Sequence, residues 1–286
     1  MRAPVKNLLG AIAFSLVGVP VALAADMPVK AAPVAAVYNW TGFYVGGAIG
    51  ARRTDSDLSI GSIDELFSNN TITQHDLPFC TQDHIPCRTG ASSGGTALRI
   101  GPYVGYNWQI GERWVAGIEG DWAWADNTTT HDGFKFFQSI GNVPGDSSFA
   151  VKTSWDAGAR ARLGFLATPT LLVYGTGGAA WMKTDMTSNC GALSCFPGTN
   201  SPLVISQSSV RTGWTLGGGV ESMLAANWIL RAEYRYADYG SVSTTDVRPC
   251  TSQPGCGTAS SLNVGYDVAL KSHTATLGIA YKFGQP

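Results

Sequence analysis

Residues 228–236 read Trp-Ile-Leu-Arg-Ala-Glu-Tyr-Arg-Tyr. Trp228, Leu230, Ala232, Tyr234 and Tyr236 share one parity, and Arg231, Glu233 and Arg235 share the other. Such strict alternation is the period of a β-strand, whose successive side chains leave opposite faces. The order is unusual in that one face is aromatic and aliphatic while the other carries charge of both signs. The same pattern recurs. In 114–124, Trp114, Ala116, Ile118, Trp122 and Trp124 oppose Glu119 and Asp121. In 155–165, Trp155, Ala157, Ala159, Ala161, Leu163 and Phe165 oppose Asp156, Arg160 and Arg162. In 277–283, Leu277, Ile279, Tyr281 and Phe283 oppose Gly278, Ala280 and Lys282.

Eight such segments are expected, over 42–53, 95–108, 114–126, 150–165, 171–186, 210–224, 228–239 and 268–283. Their connections alternate in length. Residues 109–112, 166–170 and 225–227 are tight turns, whereas 54–94, 127–149, 187–209 and 240–267 are long, polar and read as loops. The tryptophans divide in the same way. Trp40, Trp108, Trp114 and Trp228 flank the N-terminal entry or the short turns; Trp122, Trp124, Trp155, Trp181 and Trp214 lie near the ends that lead to long loops. Two aromatic girdles with short turns on one side and long loops on the other belong to a β-barrel in a bilayer. Lipid offers no hydrogen bonds to a free sheet edge, so spanning strands must close on themselves.

The fold expected is all-β: an eight-stranded antiparallel up-and-down transmembrane barrel, with short periplasmic turns and four long extracellular loops. Eight strands leave an interior just wide enough for side chains. The inward charges must then neutralise one another: Glu119, Asp121, Asp156, Glu221 and Glu233 with Arg52, Arg99, Arg160, Arg162, Arg211, Arg231, Arg235 and Lys282. A structural charge network is the first reading of these residues, and a conducting polar lumen is the alternative.

Composition agrees. Gly makes up 35 of the 286 residues, against a usual ~7 per cent, and charged residues 14 per cent, against a usual ~25 per cent. A net charge of −1 argues against a nucleic-acid partner, and 44 per cent apolar residues argue against disorder. At the N-terminus, Arg2 and Lys6 precede an apolar run from Leu8 to Val19, and Ala22-Leu23-Ala24 is an A-x-A site. Residues 1–24 therefore read as a Sec signal peptide, 25–38 as an Ala/Pro periplasmic linker and 39–286 as the barrel. Export permits disulfides. The six cysteines form three close pairs, Cys80/Cys87, Cys190/Cys195 and Cys250/Cys256. Of 15 connectivities the nearest-neighbour one is expected. Their spacing does not suit zinc.

Asn39-Trp40-Thr41-Gly42-Phe43-Tyr44-Val45-Gly46-Gly47 resembles the first strand of the alphaproteobacterial outer-membrane immunogenic proteins, themselves similar to opacity-type and OmpA-like eight-stranded barrels. Gly105–Gln109, Arg231–Tyr236 and Leu277–Phe283 resemble their second, seventh and closing strands. The resemblance implies an integral, surface-exposed outer-membrane protein with a structural or surface-interaction role, porin-like or immunogenic. Its partners would be outer-membrane lipid and lipopolysaccharide, the barrel-assembly machinery reading Tyr281 and Phe283, and an extracellular ligand at the loops, haem being one option. A narrow passive channel for ions or very small solutes is the alternative function.

No catalytic residue, cofactor or metal site is expected. The neighbours His75-Asp76, Asp83-His84 and His131-Asp132 read as solvated loop residues, although a rim hydrolase would need such pairs. The segment 175–180 has glycines in dinucleotide-like spacing but reads as strand, without the helix and acidic residue that the fingerprint requires.

Overall fold

The structure is a computed structural model and describes residues 38–67, 72–75, 90–134, 147–190, 203–225, 227–249 and 259–284. The expected signal peptide and most of the linker lie outside them. Eight long strands form the body: β1 (Gly42–Phe67), β3 (Gly90–Ile110), β4 (Trp114–Phe134), β5 (Ser147–Thr168), β6 (Leu171–Cys190), β7 (Leu203–Ala225), β8 (Trp228–Pro249) and β9 (Ala259–Lys282). A four-residue strand, β2 (Ile72–His75), pairs with the far end of β1. Each long strand pairs antiparallel with its neighbour, and β1 pairs with β9 from Tyr44↔Lys282 upward, which closes an eight-stranded barrel.

The long strands run for 20 to 26 residues, about twice the ~9–11 that a tilted strand needs to cross a bilayer. Their outward faces show where the crossing ends. Ten residues separate Phe43 from Arg53 on β1, Trp228 from Asp238 on β8 and Tyr281 from Lys271 on β9, and no outward charge intervenes. This lipid-facing band is edged at the turn side by paired rings: Trp114 with Phe165 at 5.5 Å and Trp228 with Tyr281 at 5.3 Å. At the other edge Trp122 meets Trp124 at 4.0 Å and Trp214 meets Tyr236 at 5.5 Å. Trp40 departs from the expectation: it is fully buried inside the barrel mouth and belongs to neither girdle.

Beyond the band the strands continue where long loops are expected from the sequence. β1 runs to Phe67, β4 to Phe134 and β8 to Pro249, and β9 starts at Ala259. Here the barrel stops being a barrel. The β3–β4 ladder ends at Ile100↔Trp124, and the β7–β8 ladder ends at Trp214↔Asp238. Above these points, among the described residues, β3 pairs only with β1, β4 with β5, β7 with β6 and β8 with β9. The wall therefore parts along two seams into two leaves, β4–β5–β6–β7 and β8–β9–β1–β3. Bulges mark the level of the split: between Trp124 and Asn127 on β4, Thr153 and Asp156 on β5, and Asp238 and Ser241 on β8. The last includes Gly240, whose φ of 68° lies in the left-handed region where a side chain is strained. Bulges bend and twist the strand that carries them, which re-aims each leaf where it leaves the lipid.

The two leaves pack as a sandwich. Leu58, Phe149, Val151, Met182, Met186, Tyr266, Val268 and Leu270 turn inward and are buried. Phe149 of one leaf stacks on Tyr266 of the other at 5.6 Å. His131 of β4 reaches Ser56 of β1, with Nε2 3.1 Å from Oγ. In this head the inward face mixes these apolar side chains with buried Thr54, Ser56, Thr129, His131, Thr153, Thr184 and Ser188, and the outward face is mostly polar.

Candidate functional site

The lumen has a floor, a charged middle and the sandwich core above it. The floor lies at the turn side, where Trp40, Tyr44, Tyr103, Val115, Leu166, Leu172, Tyr174, Met223, Ile229 and Ala280 form one buried cluster. Trp40 is pinned in it by two turns: its backbone N–H donates to Gln109 Oε1 at 2.9 Å, and its indole Nε1 donates to the Pro169 carbonyl at 3.0 Å. Lys282 is buried at this level, with Nζ donating to the Thr41 carbonyl at 3.4 Å.

Above the floor, alternation brings the inward charges of six strands together. Arg162 meets Glu221 at 2.8 Å. Arg231 bridges Glu221 at 2.6 Å and Glu119 at 2.5 Å. Arg160 takes Glu119 at 2.5 Å, Glu233 at 2.6 Å and Asp121 at 3.1 Å. Arg235 joins Asp121 at 2.8 Å to Asp156 at 3.1 Å. Arg99 also joins these two, at 2.5 and 2.6 Å. Arg52 closes the ladder on Asp156 at 2.8 Å and donates to the Ala125 carbonyl of the β4 bulge at 2.5 Å. The expected residues Glu119, Asp121, Asp156, Arg160, Arg162, Glu221, Arg231, Glu233 and Arg235 thus meet in one continuous network, together with Arg52 and Arg99. Among the described residues no ion pair links Arg211 to it; its Nη2 meets Met186 Sδ at 3.8 Å.

Sequence reasoning missed the tyrosines. Tyr44 Oη donates to Glu119 at 2.8 Å and accepts from Arg162 at 2.9 Å, and Tyr174 Oη donates to Glu233 at 2.7 Å. Arg231 lies over Tyr103 at 4.1 Å and Arg162 over Tyr174 at 4.0 Å, within cation–π range. Their inward parity on β1, β3 and β6 was the available signal. Gly105 makes the packing feasible, since a Cβ there would stand 2.3 Å from Tyr44 Oη.

Little space remains. Among Tyr103, Asp121, Arg160, Arg231, Glu233 and Arg235 the free volume is about 10 Å³, room for one water at most.

His131 and Asp132 lie on strand β4, not in a loop, and point to opposite faces: His131 is buried inside and Asp132 is exposed outside. They do not face one another as an acid–base pair must. The segment 175–180 is the middle of β6, as read. Tyr281 and Phe283 are outward, their rings 5.0 Å apart, and Phe283 packs on Phe43 at 5.8 Å. Cys190 is the last residue of β6; Cys80, Cys87, Cys195, Cys250 and Cys256, with Asp76, Asp83 and His84, lie outside the described residues.

Known proteins are similar to this chain in sequence. The model of the outer membrane protein beta-barrel domain matches residues 22–283. The 31 kDa outer-membrane immunogenic protein of Brucella melitensis is 30% identical over 267 residues, 92% of this chain and 93% of that protein. The 22 kDa outer membrane protein of Rhizobium leguminosarum bv. viciae is 27% identical over 210 residues, 73% of this chain and 69% of that protein. Among solved structures, OprG of Pseudomonas aeruginosa aligns with a TM-score of 0.42 at 13% identity, over 86% of this chain and 98% of that one. The chain belongs to the outer membrane protein beta-barrel domain family and is an integral protein of the outer membrane.

Proposed function

We propose that the chain is a sealed, non-catalytic anchor that holds a two-leaved β-head at the cell surface, where it meets other molecules. The observation that carries this reading is the filled lumen. An apolar floor with Trp40 at its centre underlies a buried network of six arginines and five carboxylates, and the cavity among Tyr103, Asp121, Arg160, Arg231, Glu233 and Arg235 has about 10 Å³ free. Ions would have to displace charges that already satisfy one another. The separation of His131 from Asp132 across the strand supports a non-enzymatic role. The names of the Brucella relatives support a surface antigen.

In the same reading, the exposed Tyr281–Phe283 end of β9 is what the assembly machinery takes hold of. Lipopolysaccharide surrounds the girdle of Trp122, Trp124, Trp214 and Tyr236. Planar-bilayer recording tests the main point. Wild-type protein is expected to be electrically silent, and Trp40→Ala alone is expected to stay silent, because the charge ladder still fills the lumen. Steady conductance that survives truncation of the loops would overturn the sealed barrel and establish a narrow channel.

A further inference from the structure

Above the split, β7 is an edge strand. Beyond Trp214↔Asp238 its one partner strand among the described residues is β6, in a register unbroken up to Cys190↔Leu203. Such an edge offers a row of backbone groups to another strand, and proteins guard it with charge, proline or a bulge. The other edges at the seams are guarded. β8 bulges between Asp238 and Ser241 and carries Asp246, Arg248 and Pro249. β4 bulges between Trp124 and Asn127 and carries Asp126 and Asp132. The edge of β3 is covered at Gly95, where a Cβ would stand 2.4 Å from the Asn127 amide. β7 has none of these devices over residues 203–210, which read Leu-Val-Ile-Ser-Gln-Ser-Ser-Val. Ser206, Gln207 and Ser208 are all exposed, so solvent reaches both faces of the strand there. Val204 and Val210 are 58% and 50% exposed on its outward face. Among the described residues they are the two large apolar side chains that stand exposed above the lipid band.

We propose that this edge pairs with the same edge of a second copy of the chain, antiparallel and centred on Gln207. The sequence is self-complementary in that register. Val204 faces Val210 of the second copy and Ser206 faces its Ser208, and the two-fold axis repeats each pair. The leaves β4–β5–β6–β7 of two molecules then join into one sheet, and the exposed valines are covered. In each copy β7 runs from the head down to the turn side, so antiparallel pairing places the two barrels in facing membranes. Gln207 is seven residues above Trp214, about 23 Å along a strand that rises ~3.3 Å per residue, which sets the reach of each head. The inference names the partner for the surface role proposed above and rests on that reading. The two fail separately: a conducting barrel would sink the sealed anchor without touching the pairing, and loss of pairing would leave the seal intact.

The experiment places the full mature chain in phosphatidylcholine nanodiscs, one barrel per disc, and follows association by sedimentation velocity over a concentration series. Wild-type discs are expected to pair, and the amides of 203–210 to exchange more slowly as they do. Val204→Lys combined with Val210→Lys sets like charges against each other across the two-fold axis. It is expected to weaken pairing about tenfold or more, with the heat-shifted band retained. Val204→Lys combined with Val210→Glu brings opposite charges together only if position 204 faces position 210. It is expected to pair again, and to lose that pairing at high salt. Wild-type discs that stay single at every concentration would overturn the proposal, as would pairing that the double lysine variant leaves unchanged. Slow exchange of 203–210 in single discs would also overturn it, because the chain itself would then cover the edge. So would a Lys/Glu variant that pairs no better than the double lysine one, because the register would then be wrong.

Discussion

The lower and upper halves of this molecule are made from the same strands, yet they are built inside out relative to one another. In the lipid band, β9 turns Leu277, Ile279 and Tyr281 outward and Thr276, Gly278 and Ala280 inward. Ten residues further up the same strand, Lys271 faces out while Tyr266, Val268 and Leu270 face in. The period is two throughout; only the sign changes. The solvent explains it. Against acyl chains the outward face must be apolar, and the lumen can be ionic because its charges neutralise one another. In water the hydrophobic effect reclaims the interior. Closure follows the same logic. An open edge is forbidden in lipid but tolerated in water, so the ladder is complete below Ile100↔Trp124 and Trp214↔Asp238 and parted above them.

The comparison breaks most visibly at Asp156. This carboxylate accepts from Arg52, Arg99 and Arg235, so Asp156→Ala leaves three buried guanidiniums short of an anion. About 3–5 kcal/mol of stability should be lost, read as a marked fall in the temperature at which the folded band disappears. An equivalent truncation in the apolar head core, Phe149→Ala, should cost about 3 kcal/mol but mainly loosen the head. The expected sign is faster proteolysis of residues above the seams with the heat-resistant barrel band retained. If the barrel band is lost as well, the two halves do not melt separately.

The inverted sign predicts a matched pair. Leu216 and Val210 are both outward on β7 and at least half exposed. Leu216→Lys lies within the lipid band and should cost about 2–4 kcal/mol in a bilayer refolding titration. Val210→Lys lies above it and should change stability by about 0.5 kcal/mol or less. Equal costs would move the membrane boundary. His131→Ala, which removes the buried contact to Ser56, should cost about 0.5–1.5 kcal/mol, detectable as faster amide exchange on β4 above Trp124.

Much of the lipid-facing half was legible. Trp114, Ile118 and Trp124 against Glu119 and Asp121 is a pattern that a closed barrel in a bilayer accommodates, and parity alone placed the ladder's charges on the inward face. The head was not legible. Stretches such as 127–134 and 240–249 are rich in Thr, Ser and Asp, which reads as loop when the apolar residues are expected outside. Trp40 was assigned to an interface because Trp usually seeks one; its burial depends on where two separate turns place Gln109 and the Pro169 carbonyl. Arg211 was counted among the charge partners because parity fixes the face of a side chain and not its height.

The sequence by itself determined the period of the strands, the closure into eight, the side that meets lipid and the membership of the charged face, because alternation and desolvation act residue by residue. Only the tertiary structure decided which charges touch, that Trp40 stops the mouth, and that the wall parts into two leaves above the lipid. Those outcomes depend on strand register and on bulges, which set the relative heights of residues far apart in the chain.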